Sequence, residues 1–144
     1  MRIFFDTSVL VAALIEDHPK HLNTFPWLAK AKAQDYDFFV SSHTLAELYA
    51  VLSTLPVKPR ISPGVAWRLI HENIEKAANI ISLSPKDYRT LIKRAAVLDL
   101  SGGIIYDALI IKAAEKAQAD KILTLNISHF QKIWPGDPSV LVNP

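Results

Sequence analysis

Short, continuously apolar runs alternate along the chain with longer segments of mixed polarity. Arg2-Ile3-Phe4-Phe5, Asp37-Phe38-Phe39-Val40-Ser41, Ile80-Ile81-Ser82-Leu83, Ile122-Leu123-Thr124-Leu125 and Val140-Leu141-Val142 are too short for helices and rich in β-branched or aromatic residues. They predict strands. The longer segments predict helices over Ser8 to Glu16, Leu22 to Ala33, His43 to about Thr54, Pro63 to about Ala77 and Tyr106 to Ala117. A further helix opens at Ser84-Pro85-Lys86-Asp87, with Ser84 as cap, Pro85 in the first turn and an acid three residues on. Ser8 is the favoured cap of the first helix, with Asp6 and Thr7 also available, and Ser42 caps the third. His18-Pro19, the prolines at 56, 59 and 63, and Asp99 to Gly103 mark breaks.

Strands that are apolar throughout, rather than alternating, are covered on both faces. The expected architecture is therefore an α/β, three-layer α/β/α sandwich around a mostly parallel central sheet of about five strands. Residues 1–144 fit a single domain. In open sheets of this kind, ligands bind outside the carboxyl ends of the strands.

Composition narrows the chemistry. There is no cysteine, which excludes disulfides, thiolate metal sites and a cysteine nucleophile. No GxGxxG or GxxxxGK[ST] pattern supports nucleotide binding. The longest apolar run, Val9 to Ile15, is far short of the ~20 residues that span a bilayer, so the chain reads as soluble, cytoplasmic and not membrane-bound. Sixteen Lys and Arg stand against fourteen Asp and Glu, a net charge of +2. Mean hydropathy is +0.17. Phe25, Trp27, Tyr49, Leu52 and Trp67 are candidates either for core packing or for a surface covered by a partner.

Three acids change this picture. Asp6 is the only Lys, Arg, Asp or Glu between Arg2 and Glu16, Glu47 the only one between Asp37 and Lys58, and Asp107 the only one between Asp99 and Lys112. An ionised carboxylate in an apolar segment is expensive unless partnered, and no basic residue is near in sequence. A hard divalent cation takes carboxylate and amide oxygens. Asp6 and Asn126 fall at strand ends, Asp107 near a helix start and Glu47 one turn into its helix. Each also has a structural reading: Asp6 as a helix cap, Glu47 as a solvent-facing acid, Asp107 as an answer to the helix dipole, Asn126 as a turn residue.

With those residues in view, the chain resembles the PIN-domain nucleases. Asp6-Thr7-Ser8-Val9-Leu10 resembles their opening motif, Ser42-x-x-x-x-Glu47-Leu48 the second acidic motif, Gly103-Ile104-Ile105-Tyr106-Asp107-Ala108 the third, and Leu123-Thr124-Leu125-Asn126-Ile127-Ser128-His129-Phe130 the last. The order holds over nearly the whole chain, and the length suits the VapC toxins of type II toxin–antitoxin pairs. The last motif departs from the pattern, with Asn126 where many members carry aspartate. The resemblance implies a metal-dependent endoribonuclease. Asp6, Glu47 and Asp107 would hold Mg²⁺ or Mn²⁺ with Asn126 in support, and Thr7, Ser8 and Thr124 would be hydrogen-bonded to them. It also implies a homodimer and a cognate antitoxin. The alternative is a catalytically silent PIN fold that binds RNA or a protein partner. Lys86, Arg89 and Lys93, which share a helix face, and His129 are candidates for RNA phosphate contacts. His18, His21 and His43 read as surface or capping residues. With the three acids committed to metal, the remaining surface carries about +5.

Overall fold

The computed structural model describes residues 1–144. Five strands, β1 (Arg2–Phe5), β2 (Asp37–Ser41), β3 (Asn79–Ile81), β4 (Lys121–Leu123) and β5 (Leu141–Val142), form one sheet in the order β3-β2-β1-β4-β5. All pairings are parallel, with Ile3 opposite Phe38 on one side and Lys121 on the other. Seven α-helices cover it: α1 (Thr7–Leu14), α2 (His21–Lys32), α3 (Ser42–Leu52), α4 (Pro63–Ile70), α5 (Pro85–Val97), α6 (Ile104–Lys116) and α7 (Ile127–Ile133). A single π-helical turn, His71–Glu75, prolongs α4. No helix is long and apolar enough to cross a membrane.

The two-residue period of a strand sends neighbouring side chains to opposite faces. Ile3, Phe5, Phe38, Val40 and Leu123 join the residues of α1 to α4 in one core. Phe4, Phe39 and Ile122 join those of α5, α6 and α7 in a second. Each strand therefore needs apolar residues at consecutive positions, and this is why the runs are unbroken. Leu52 is fully buried in the first core, so of the five bulky residues considered for a partner surface it belongs inside; Phe25, Tyr49 and Trp67 are exposed and Trp27 is half-buried.

Several boundaries differ from the sequence pattern for identifiable reasons. The cap of α3 is Ser41, not Ser42: its hydroxyl accepts from the backbone N–H of His43. Helix α6 begins two residues ahead of Tyr106, at Ile104. The capping box at Ser84 and Asp87 is complete, each side chain accepting from the other's backbone N–H. Helix α7 had no signal in the pattern, being only seven residues long and starting at an asparagine whose side chain makes no cap bond. Helices α2, α5 and α6 each end in a paired C-terminal hydrogen-bond motif, for example Ala119 N–H to Ala114 O (3.1 Å) and Gln118 N–H to Glu115 O (3.0 Å). The left-handed positions of these motifs are held by Gln34, Asp99 and Gln118 rather than glycine.

The topology positions the site. The chain passes from β1 outward to β2 and β3, then returns to place β4 on the other edge of β1. The direction of winding reverses between β1 and β4, and a crevice opens there at the carboxyl ends of the strands.

Candidate active site

Asp6 directly follows β1 and occupies the N-cap position of α1, yet its carboxylate does not cap the helix. Its Oδ2 instead accepts from Ser8 Oγ (2.6 Å) and from Thr124 Oγ1 (2.9 Å), just beyond the end of β4. Those hydroxyls are themselves held by backbone: Leu125 N–H donates to Ser8 Oγ (3.0 Å) and Asn126 N–H to Thr124 Oγ1 (3.0 Å). Asp6 N–H donates to Leu123 O (2.9 Å). A closed set of hydrogen bonds thus ties the ends of β1 and β4 together through one carboxylate. Ser8 lies within the first turn of α1 and acts on Asp6 rather than as the helix cap expected for it.

Asp6 is only 4% exposed. Burial is the largest influence on its acidity and pushes the pKa up from 3.8 to about 6, against the lowering effect of the Ser8 and Thr124 hydrogen bonds. The negative charges of Asp107 and Glu47 add to the rise. Its Oδ1 accepts no hydrogen bond, and no fully buried side-chain polar atom in the protein lacks a partner. That oxygen therefore faces open space.

The space is a cavity of about 390 Å³ whose walls include Asp6, Glu47, Asp107 and Asn126, with Thr7 and Ser8. Four elements from four parts of the chain deliver them: the end of β1, the second turn of α3, the first turn of α6 and the start of α7. Thr7 Oγ1 donates to Glu47 Oε2 (3.2 Å) and lies 3.1 Å from Thr44 Oγ1. Each remaining carboxylate leans on a histidine: Glu47 Oε2 is 3.2 Å from His43 Nε2, and Asp107 Oδ2 is 3.1 Å from His129 Nδ1. The Asp107 carboxyl also sits above its ordinary range, because burial outweighs the lowering effect of His129. Val11, Val51, Ile110 and Leu125 form apolar wall.

Lys and Arg are missing from the residues that line this cavity. The donors are carboxylate and amide oxygens, and a cation is the group that would relieve the mutual repulsion felt at Asp6. This donor set fits a hard divalent ion. No three His, Asp or Glu side chains close into a cage. The arrangement is an open half-shell of the kind that leaves positions to water and a substrate phosphate.

The basic candidates lie elsewhere. Lys86, Arg89 and Lys93 line a shallow depression on α5 together with Arg94, and none of the four reaches the carboxylate cavity. Arg94 is engaged by Glu115 (2.7 Å) and Lys116 by Asp87 (2.9 Å), whereas Lys86, Arg89 and Lys93 have no carboxylate partner. Two lining residues were not among the site candidates. His18, expected at the surface or as a cap, and Tyr106, which stands beside Asp107 in the third motif, both form part of the cavity wall. The packing of α1, α3 and α6 around the crevice brings them in.

Comparison with known proteins gives a consistent result. The family model described as PIN domain matches residues 3–133. The chain is 34% identical over 115 residues to ribonuclease VapC27 of Mycobacterium tuberculosis, covering 80% of this chain and 78% of that protein. It is 35% identical over 122 residues to ribonuclease VapC40 of the same organism, covering 85% and 84%. Among solved structures it is similar to VapBC2 from Rickettsia felis bound to a DNA fragment from the promoter. That match has a TM-score of 0.67 at 25% identity and covers 100% of this chain and 99% of the other.

Proposed function

The chain belongs to the PIN domain family, and from that premise we propose that it is a divalent-metal-dependent endoribonuclease and the toxin of a toxin–antitoxin pair. The observation that carries this reading is the meeting of Asp6, Glu47, Asp107 and Asn126 in one cavity without a Lys or Arg. The relatives named as ribonucleases support the substrate class. Asp6, Glu47 and Asp107 would hold Mg²⁺ or Mn²⁺, with the Asn126 carbonyl in support. When bound, the ion would supply Lewis-acid activation of water and neutralise charge at the phosphate. Ser8 and Thr124 fix one oxygen of Asp6 so that the other points into the cavity, and Thr7 steadies Glu47, the orienting role that partners of metal ligands commonly play. His43 and His129 hold the remaining two carboxylates in place, and His129, paired with Asp107, also meets a substrate phosphate in this reading.

Lys86, Arg89 and Lys93, which have no carboxylate partner, contact the RNA backbone outside the cavity. The match to a VapBC assembly supports an antitoxin partner. The exposed Phe25, Tyr49 and Trp67 are the apolar surface that a second copy or the antitoxin would cover. We place the activity in the cytoplasm, where RNA is the accessible substrate.

The deciding experiment is cleavage of total RNA with Mg²⁺ or Mn²⁺ by the wild type, Asp6→Asn and Asp107→Asn. Both variants are expected to lose cleavage by at least about a hundredfold while remaining folded. Metal-dependent cleavage retained in both would overturn the assignment. A silent RNA-binding or partner-binding fold would show no cleavage by the wild type and no thermal stabilisation by either metal.

A further inference from the structure

A second cavity, of about 410 Å³, adjoins the first and shares Glu47 and Tyr106 with it. Its other walls are His43, Ala46 and Ala50, all on α3. The His43 imidazole and the Tyr106 ring lie parallel, 4° apart in plane with centroids 5.5 Å apart. Tyr106 is 56% exposed, and its hydroxyl makes no hydrogen bond in the protein. Ala46 and Ala50 are one helical turn apart and leave a low floor beside the rings. An exposed, oriented aromatic face above a low floor fits a flat, apolar-faced ligand. Tyr106 and Glu47 line both cavities, so a group lying on the ring adjoins the cavity that holds the carboxylates.

We propose that the Tyr106–His43 pair is a stacking platform for a nucleobase of single-stranded RNA next to the phosphodiester held at the carboxylates. This rests on the nuclease reading above and adds the subsite that selects an unpaired base. Unstacked bases in loops and single strands are commonly bound on aromatic side chains, and a base in a duplex has no free face to offer. Continuity with the carboxylate cavity decides for the substrate over a protein partner, because the shared wall is formed by Glu47 and Tyr106 themselves. The platform discriminates by strandedness and stacking strength, with little dependence on base identity.

The test is the fluorescence of a short single-stranded oligoribonucleotide carrying 2-aminopurine, titrated with protein in EDTA so that no cleavage intervenes. Wild type and Tyr106→Phe are expected to quench the probe and bind it with similar affinity. Tyr106→Ala is expected to bind about tenfold to a hundredfold more weakly and to lose the quenching, with an unchanged melting temperature because the ring is exposed. In Mg²⁺ the same substitution raises KM more than it lowers kcat. No quenching by the wild type, or equal affinity and quenching by Tyr106→Ala, overturns the proposal. So does a Tyr106→Ala protein that binds the probe normally but has lost a polypeptide partner. The nuclease reading fails separately, if Asp107→Asn still cleaves RNA, since the quenching is read without metal or turnover.

Discussion

Replacing Asp6 by asparagine is expected to stabilise the metal-free protein while abolishing its catalysis. Asn preserves the shape of the side chain, and its carbonyl can still accept from Ser8 and Thr124. What it removes is a charge that the folded state disfavours. The folded carboxyl titrates at about 6 against 3.8 when free, and each tenfold change in an ionisation constant is worth about 1.4 kcal/mol. Ionised Asp6 therefore costs the empty fold about 3 kcal/mol near neutral pH. The sign follows from linkage: the folded state holds this proton more tightly, so the penalty is absent below about 4. It grows as pH rises from there and is complete above about 6. Urea denaturation in EDTA at pH 7.5 should place Asp6→Asn above the wild type by up to about 3 kcal/mol, roughly 10 °C in melting temperature for a chain of this length. At pH 4 the two proteins should converge. Added Mn²⁺ should stabilise only the wild type, since the ion neutralises the charge that burial penalises. A variant less stable than the wild type in EDTA, or a gap that persists at pH 4, would refute the reasoning.

Thr124→Val removes a hydrogen bond to Asp6 and the acceptor for Asn126 N–H; the Mn²⁺ concentration for half-maximal cleavage should rise about tenfold to a hundredfold. Ser84→Ala, which breaks the α5 capping box, should cost about 1 kcal/mol in urea denaturation. The Asp87 carboxyl is held down at about 2 by the Ser84 backbone N–H and then Lys116. Its contribution is thus present above about 4 and lost as pH falls toward 2, and Asp87→Asn should flatten acid unfolding in that range. Gln118→Gly, at a positive φ of 52°, should raise stability by roughly 0.5–1 kcal/mol, because the left-handed conformation carries no Cβ penalty in glycine. Removing Lys86, Arg89 and Lys93 together should flatten the log–log salt dependence of RNA binding by about 2, at about 0.7 per single-strand phosphate contact; an unchanged slope would take the α5 face out of the RNA path.

The sheet was readable because its strands are buried on both faces, so that Ile3, Phe4 and Phe5 are all apolar and the helix period never competes. The isolation of three acids in apolar segments left a trace of a related kind: Asp6 is buried, whereas Glu47 and Asp107 are only partly so, and all three line one cavity. Helix ends were less readable. Three of them rest on left-handed Gln or Asp rather than glycine, which leaves no mark to read, and α7 is too short to display a period. At Ser41 and Ser42 two adjacent hydroxyls could each cap α3, and only the backbone geometry chooses between them. Ser8 was ambiguous in the same way, since a hydroxyl two residues after an acid can cap a helix or donate to the acid. The stacked His43 and Tyr106 come from helices far apart in sequence, and a ring pair of that kind has no local signature.

The pairing of β1 with β4 also has a consequence for the order of assembly. The amino-terminal strand is the middle of the sheet, yet one of its edges stays bare until residues 121–123 have been made and docked. Asp6 acquires its Thr124 partner, and the cavity its Asn126 wall, at that same step. Pairing across so long a separation is a late event in folding. The carboxylate of Asp6 is therefore synthesised well before the strand and side chains that complete the cavity around it, and a product ending before β4 would lack that cavity.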